Sequence, residues 1–116
     1  MREELNSFTL NEGNRRDATM IICAAIKVEF INQYNLNETV IVHGLRHGDC
    51  FTTIEKMNLP PRKERTEIQG FVDNRGIFYD RLEAYHAARA MNQLSATIIK
   101  YKEEHNENEL YSEDLY

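Results

Sequence analysis

The sequence predicts an α+β fold: a small antiparallel sheet with two helices, ordered strand-strand-helix then hairpin-helix. Three observations predict it. Two apolar, β-branched runs, residues 20–30 and 39–42, flank an asparagine-rich loop. Residues 66–72 and 77–79 read as strands around Asp73-Asn74-Arg75-Gly76, which has the polar and glycine chemistry of a tight turn. Asp80, with Glu83 three residues on, forms a capping box at the head of a helical stretch.

The elements follow in order. Residues 1–18 are expected to form a polar N-terminal segment with a short turn near residues 11–14, ahead of a single domain over 19–116. The run starting at Met20 fits helix or strand by periodicity alone. Its β-branched content and the Lys27-Val28-Glu29-Phe30 alternation favour a central strand. Residues 32–38 read as a loop and 39–42 as the second arm of an antiparallel hairpin. Residues 44–49 break the strand, and Asp49 is expected to N-cap a short helix over 50–57, which Pro60-Pro61 stops. Residues 62–65 are a charged connector. After the hairpin, the helix is expected over 81–93, with Leu82, Tyr85, Ala88 and Met91 on one face. Residues 96–101 are expected to form a last strand, and 102–109 an acidic, solvated loop. Leu110, Tyr111, Leu115 and Tyr116 give the chain end an apolar character that predicts docking, on the domain itself or on a neighbouring subunit.

Composition bounds the function. At 116 residues and 41% hydrophobic, the chain suits one domain with a modest core. No apolar run approaches the roughly 20 residues needed to span a bilayer, and the N-terminus lacks the basic-then-apolar pattern of a signal peptide. A cytoplasmic protein without a membrane partner is expected. Cys23 and Cys50 are expected to be free thiols. The net charge of −5 argues against a general nucleic-acid binder, because phosphate neutralisation supplies most non-specific affinity. It still admits a small anionic ligand, which needs only two or three placed arginines.

Candidate chemistries stand beside blander readings. His43, His47, Cys50 and Cys23 are zinc-type ligands, but their spacing matches no common zinc pattern. His47 is expected instead to order the loop before the helix while Cys50 packs. A Cys50/His47 nucleophile pair lacks a third group and an oxyanion motif. The five glycines form neither a P-loop nor a dinucleotide fingerprint. No metal, cofactor or catalytic residue is therefore expected. Arg75, Phe78, Arg81 and Asp114 supply guanidinium, aromatic and carboxylate groups suited to a nucleotide, although the residues alone favour a hairpin core for Phe71 and Phe78 and a solvated surface for the arginines.

Four segments carry a resemblance: Cys23-Ala24-Ala25-Ile26; Arg46-His47-Gly48-Asp49-Cys50; Gln69-Gly70-Phe71 with Phe78 and Asp80-Arg81-Leu82-Glu83-Ala84; and Leu110-Tyr111-Ser112-Glu113-Asp114-Leu115-Tyr116. In that order, over residues 19–116, they resemble the first type of Thoeris anti-defence protein of phages. Those proteins sequester glycocyclic ADP-ribose, the signal of a bacterial TIR-domain enzyme, without cleaving it. The resemblance implies a small α/β fold and a homo-oligomer, a dimer or hexamer, with ligand near subunit interfaces. It implies ligand contacts at Arg46, Phe71, Phe78, Arg81, Glu113 and Asp114, to which the residue chemistry adds Arg75. Residues 102–108 depart from the pattern as an acidic insertion. Two rival expectations are a protein-interaction module that inhibits a host defence enzyme and a sponge for another cyclic oligonucleotide. A small nucleotide-degrading enzyme is the third.

Overall fold

The computed structural model describes residues 19–115. The polar segment expected over 1–18 lies outside the described residues, as does Tyr116. Two long strands, β1 (Ile21–Ile31) and β2 (Asn37–Gly44), form the expected antiparallel hairpin. Asn32 builds its loop: the side-chain oxygen accepts the N–H groups of Tyr34 (2.8 Å) and Leu36 (3.1 Å), and Asn35 takes a left-handed φ of 62°. The chain then enters α1 (His47–Lys56), followed by a 3₁₀ turn (Arg62–Glu64) and β3 (Arg65–Asp73). β3 pairs antiparallel with β1, and β4 (Phe78–Asp80) with β3. The sheet order is β2-β1-β3-β4. Two further helices close the fold, α2 (Arg81–Ala90) and α3 (Ala96–Glu104), before a 3₁₀ turn at Ser112–Asp114.

Alternation along β1 decides which face is inside. Ala24, Ile26 and Val28 join Val42, Phe71, Cys50 and Ile54 in the core with Ala84, Tyr85 and Ala88 of α2. The opposite face carries Lys27, Ile41 and Ile68, all half-buried. The side chain of Gln93 acts as one more strand for the start of β1. Its oxygen accepts the Ile21 N–H at 2.7 Å and its amide donates to the Ile21 carbonyl at 2.9 Å.

Several expectations need correction. Asp49 is not the N-cap of α1. The helix starts three residues earlier, at His47 with Arg46 at the N-cap, and Asp49 reaches back from the first turn to accept the Arg46 N–H at 3.1 Å. The helix also ends at Lys56, before the prolines act. α2 stops at Ala90. Its buried face is Ala84, Tyr85 and Ala88, whereas Leu82 is exposed. Residues 96–101 are helix, not strand, so the described residues form three helices. Ser95 caps α3 by accepting the Ile98 N–H at 3.2 Å, and the cap outweighs the weak β preference of Thr97, Ile98 and Ile99. Lys102, placed in an acidic loop by the sequence, lies on this helix and is buried.

The chain end docks on its own domain. Leu110 is fully buried in the core, and its N–H donates to the Arg81 carbonyl at 3.0 Å. Among the described residues, no helix is long and apolar enough to cross a membrane.

Candidate functional site

Arg81 sits where β4 becomes α2, just behind the Asp80 cap. The Asp80 carboxylate accepts the Glu83 N–H at 2.8 Å, and Glu83 accepts the Asp80 N–H at 3.0 Å. This reciprocal cap fixes the backbone from which Arg81 projects. Its guanidinium donates to the Gln69 side-chain oxygen and, at 3.5 Å, to the Leu110 carbonyl. It also lies 4.5 Å from the centre of the Tyr111 ring. An open groove of about 730 Å³ runs past it, lined by Glu67, Ile68, Gln69, Asp80, Arg81, Leu82, Glu109 and Tyr111.

Tyr111 separates this groove from a second one, of about 540 Å³, which includes Tyr101, Lys102, Glu107, Glu113 and Asp114 in its lining. Lys102 anchors the wall between them. Its ammonium lies 4.9 Å from the Tyr111 ring centre and 5.9 Å from that of Tyr85. It donates to the Glu109 carbonyl at 2.9 Å and pairs with Asp114 at 3.0 Å. Asp114 in turn accepts the Tyr111 N–H at 2.9 Å. A buried ammonium demands such partners, and here they are supplied by the segment that carries the tyrosine.

His47 ties the same segment to the sheet. Its Nε2–H donates to the Gly70 carbonyl at 2.8 Å, so in the neutral ring Nδ1 accepts the Ser112 hydroxyl at 3.3 Å. Its edge packs on the Phe71 ring, 5.1 Å between centres. Burial lowers the His47 pKa. Arg81 lowers it further, while the Gly70 hydrogen bond and Glu113 pull the other way. The expected ordering role of His47 is thus extended: it joins α1, β3 and the chain end.

The neighbouring turn is a separate, closed network. The Asp73 carboxylate accepts the N–H groups of Arg75 (2.8 Å) and Ile77 (3.0 Å), the Tyr79 hydroxyl (2.8 Å) and the Arg75 guanidinium (3.1 Å). Burial alone would raise its pKa, but these donors outweigh it and hold the acid at about 2.

The seven residues expected at the site are dispersed. Arg81 alone lines the larger groove, and Glu113 and Asp114 line the smaller one. Phe71 is fully buried and belongs to the core. Arg75 is paired with Asp73 in the turn. Phe78 lies on the sheet face away from the helices, 5.8 Å from the Lys27 ammonium. Arg46 is exposed at the head of α1. Tyr111, Lys102 and Glu109, which line the two grooves, were not among the residues expected from the sequence. The apolar chain end was the one signal that pointed to Tyr111. Cys50 is fully buried, and burial, first among its causes, pushes its thiol up to about 11, the state of a packed sulfur rather than a nucleophile. Among the described residues, no group of three or more His, Cys, Asp or Glu side chains is placed to hold a metal.

Fold and site together define a one-sheet α+β protein whose chain end folds back to wall a polar, tyrosine-lined groove. The chain belongs to the phage T4 y16D protein family, whose model matches residues 20–116. No curated protein matched the sequence, and no solved structure matched it.

Proposed function

We propose that this phage-family protein is a non-catalytic sponge, acting in the host bacterial cytosol, that binds a cyclic ADP-ribose isomer and keeps it from an immune effector. Glycocyclic ADP-ribose is the ligand the sequence resemblance implies. One observation carries the reading: the four segments behind that resemblance, far apart in sequence, meet in one cluster. Ala24 and Ala25 pair with Phe71 and Gly70 across β1 and β3. His47 joins Gly70 to Ser112, and Arg81 bonds Gln69 and Leu110 while covering Tyr111.

The chemistry divides by part of the ligand. Arg81 offers a guanidinium to a phosphate, and Asp80, Glu67 and Glu109 offer acceptors to ribose hydroxyls. Within one chain this groove holds three carboxylates against one guanidinium, so a diphosphate needs further positive charge. A neighbouring subunit in a homo-oligomer supplies it in this reading, through an exposed arginine such as Arg46. Sequestration then works by mass action. At nanomolar affinity, about −12 kcal/mol, protein in excess holds free signal below the effector's threshold.

Calorimetric titration with glycocyclic ADP-ribose, then heating and chromatography of the released material, tests this. Nanomolar binding with intact ligand returned is expected, and Arg81→Ala should weaken it by about tenfold or more. Absence of binding heat to folded protein overturns the ligand assignment. Recovery of degraded ligand overturns the sponge in favour of an enzyme.

A further inference from the structure

We infer that the free main-chain edge of β3 reads the adenine of the ligand: the Glu67 carbonyl accepts from the N6 amino group, and the Gln69 N–H donates to ring nitrogen N1. The inference rests on the sponge reading and deepens it, because it names the groups that select the base.

β3 outruns its partner on the groove side. β4 pairs with Gly70, Phe71 and Val72, and among the described residues no strand lies beside residues 65–69 on that side. The turn shows which main-chain groups face there. The Asp73 N–H donates to the Ile77 carbonyl at 3.0 Å, so the main chain of Asp73 faces the β4 side. Main-chain groups alternate sides along a strand, so Phe71, Gln69, Glu67 and Arg65 face the same way, while Gly70, Ile68 and Thr66 face β1.

Both ends of that edge are already engaged. Phe71 pairs with Tyr79, and the Arg65 N–H donates to the Arg62 carbonyl. Glu67 and Gln69 are left, with no main-chain bond to a described residue on that side. Both line the groove of about 730 Å³ that runs past Arg81, and Arg65 does not.

The length and pattern of this opening identify its occupant. Strands run to about 3–10 residues, and the stretch between the Arg62–Glu64 turn and the β4 pairing leaves only Glu67 and Gln69 to bond outward, too few for a strand. On such an edge the carbonyl of one residue lies beside the N–H of the residue two further on. A flat heterocycle with a donor beside an acceptor satisfies both, and adenine presents that pair in its N6 amino group and N1. Ile68 and the exposed Leu82 give the groove apolar surface for the faces of the base. Arg81 donates to the Gln69 side chain, so the guanidinium offered to phosphate stands beside the same residue.

Calorimetric titration of the full chain with glycocyclic ADP-ribose and with its hypoxanthine counterpart tests this. Hypoxanthine puts an acceptor in place of the N6 donor and makes N1 a donor, so both contacts turn repulsive. Each reversed contact costs about tenfold, and wild type should bind the hypoxanthine form about a hundredfold more weakly. Gln69→Ala and Gln69→Pro separate side chain from main chain. Both lose the side-chain amide, but only proline removes the N–H, which faces away from β1 and leaves that ladder intact. Gln69→Ala should keep the preference for adenine, and Gln69→Pro should narrow it to about tenfold. Thermal melting shows that each variant is folded; if Gln69→Pro is not, the wild-type comparison alone decides. Equal affinity of wild type for the two forms overturns the inference and leaves the sponge standing. A folded Gln69→Pro that keeps the full preference overturns it too. No binding of either form to folded wild type removes the sponge reading, and this inference with it.

Discussion

Alanine at position 70 should detach β4 from β3 and, with it, the groove. An ideal Cβ on Gly70 lies 2.0 Å from the Tyr79 carbonyl oxygen, 2.7 Å from the Phe78 ring and 2.9 Å from Asp80 Cα. The Phe78 ring swings aside at little cost. Tyr79 and Asp80 present main-chain atoms, so the strand itself must retreat by about 1 Å before contacts become tolerable. β4 has only three pairings to lose: Gly70↔Asp80, Phe71↔Tyr79 and Val72↔Phe78. Overpacking costs about 1–3 kcal/mol, and each disrupted ladder bond adds about 1 kcal/mol. Removing a strand glycine returns about 0.5–1 kcal/mol. The net loss should be about 3 kcal/mol, read as a lower midpoint in urea unfolding. Gly48 is the control. It lies in α1, and a methyl group added there would meet nothing within 4 Å, so Gly48→Ala should stabilise by about 0.5–1 kcal/mol. If Gly70→Ala costs less than about 1 kcal/mol, the account of β3–β4 packing is wrong.

Three further outcomes are expected. Leu110→Ala should destabilise by about 2–5 kcal/mol in the same assay, since a fully buried side chain is removed and the chain end loses its anchor. Lys102→Ala should cost about 2–4 kcal/mol, because Asp114 loses its partner beside the core; circular-dichroism melting reads the loss, and an unchanged Tm would show the pair to be incidental. Asp73 is held at about 2, below its ordinary 3.8, so its ionised form stabilises the fold. That contribution is present above about pH 4 and disappears as pH falls through about 2. Acid titration of stability should therefore show a limb in this window that Asp73→Asn flattens.

Much of the architecture was legible because the signals were local. The β1–β2 hairpin announces itself through β-branched runs around an asparagine turn. The β3–β4–α2 unit does so through the Asp73–Gly76 turn and the Asp80/Glu83 box. Each of these signals acts within a few residues, where sequence spacing and spatial spacing coincide. The failures were local signals with a close competitor. Ile98 and Ile99 favour strand by composition, but Ser95 caps a helix. Asp49 has the right chemistry for an N-cap and performs the same service from the first turn instead.

The site was less legible than the fold. Arg81 was named from its guanidinium chemistry and the resemblance, and the fold places it in the lining of the larger groove. Tyr111, Lys102 and Glu109 were not named, because each acquires its role from partners in other elements. By itself the sequence determined the two hairpins, the turn, the α2 cap and the apolar character of the chain end, whereas the β1–β3 pairing that joins the hairpins came only from the fold. Tertiary structure alone decided that Lys102 is buried, that His47 links Gly70 to Ser112, and that Tyr111 divides two grooves. The physical reason is range. Backbone caps and turns are satisfied within one turn of chain, whereas a buried ammonium or imidazole takes whichever carbonyl, hydroxyl or carboxylate the folded surface brings within hydrogen-bonding distance.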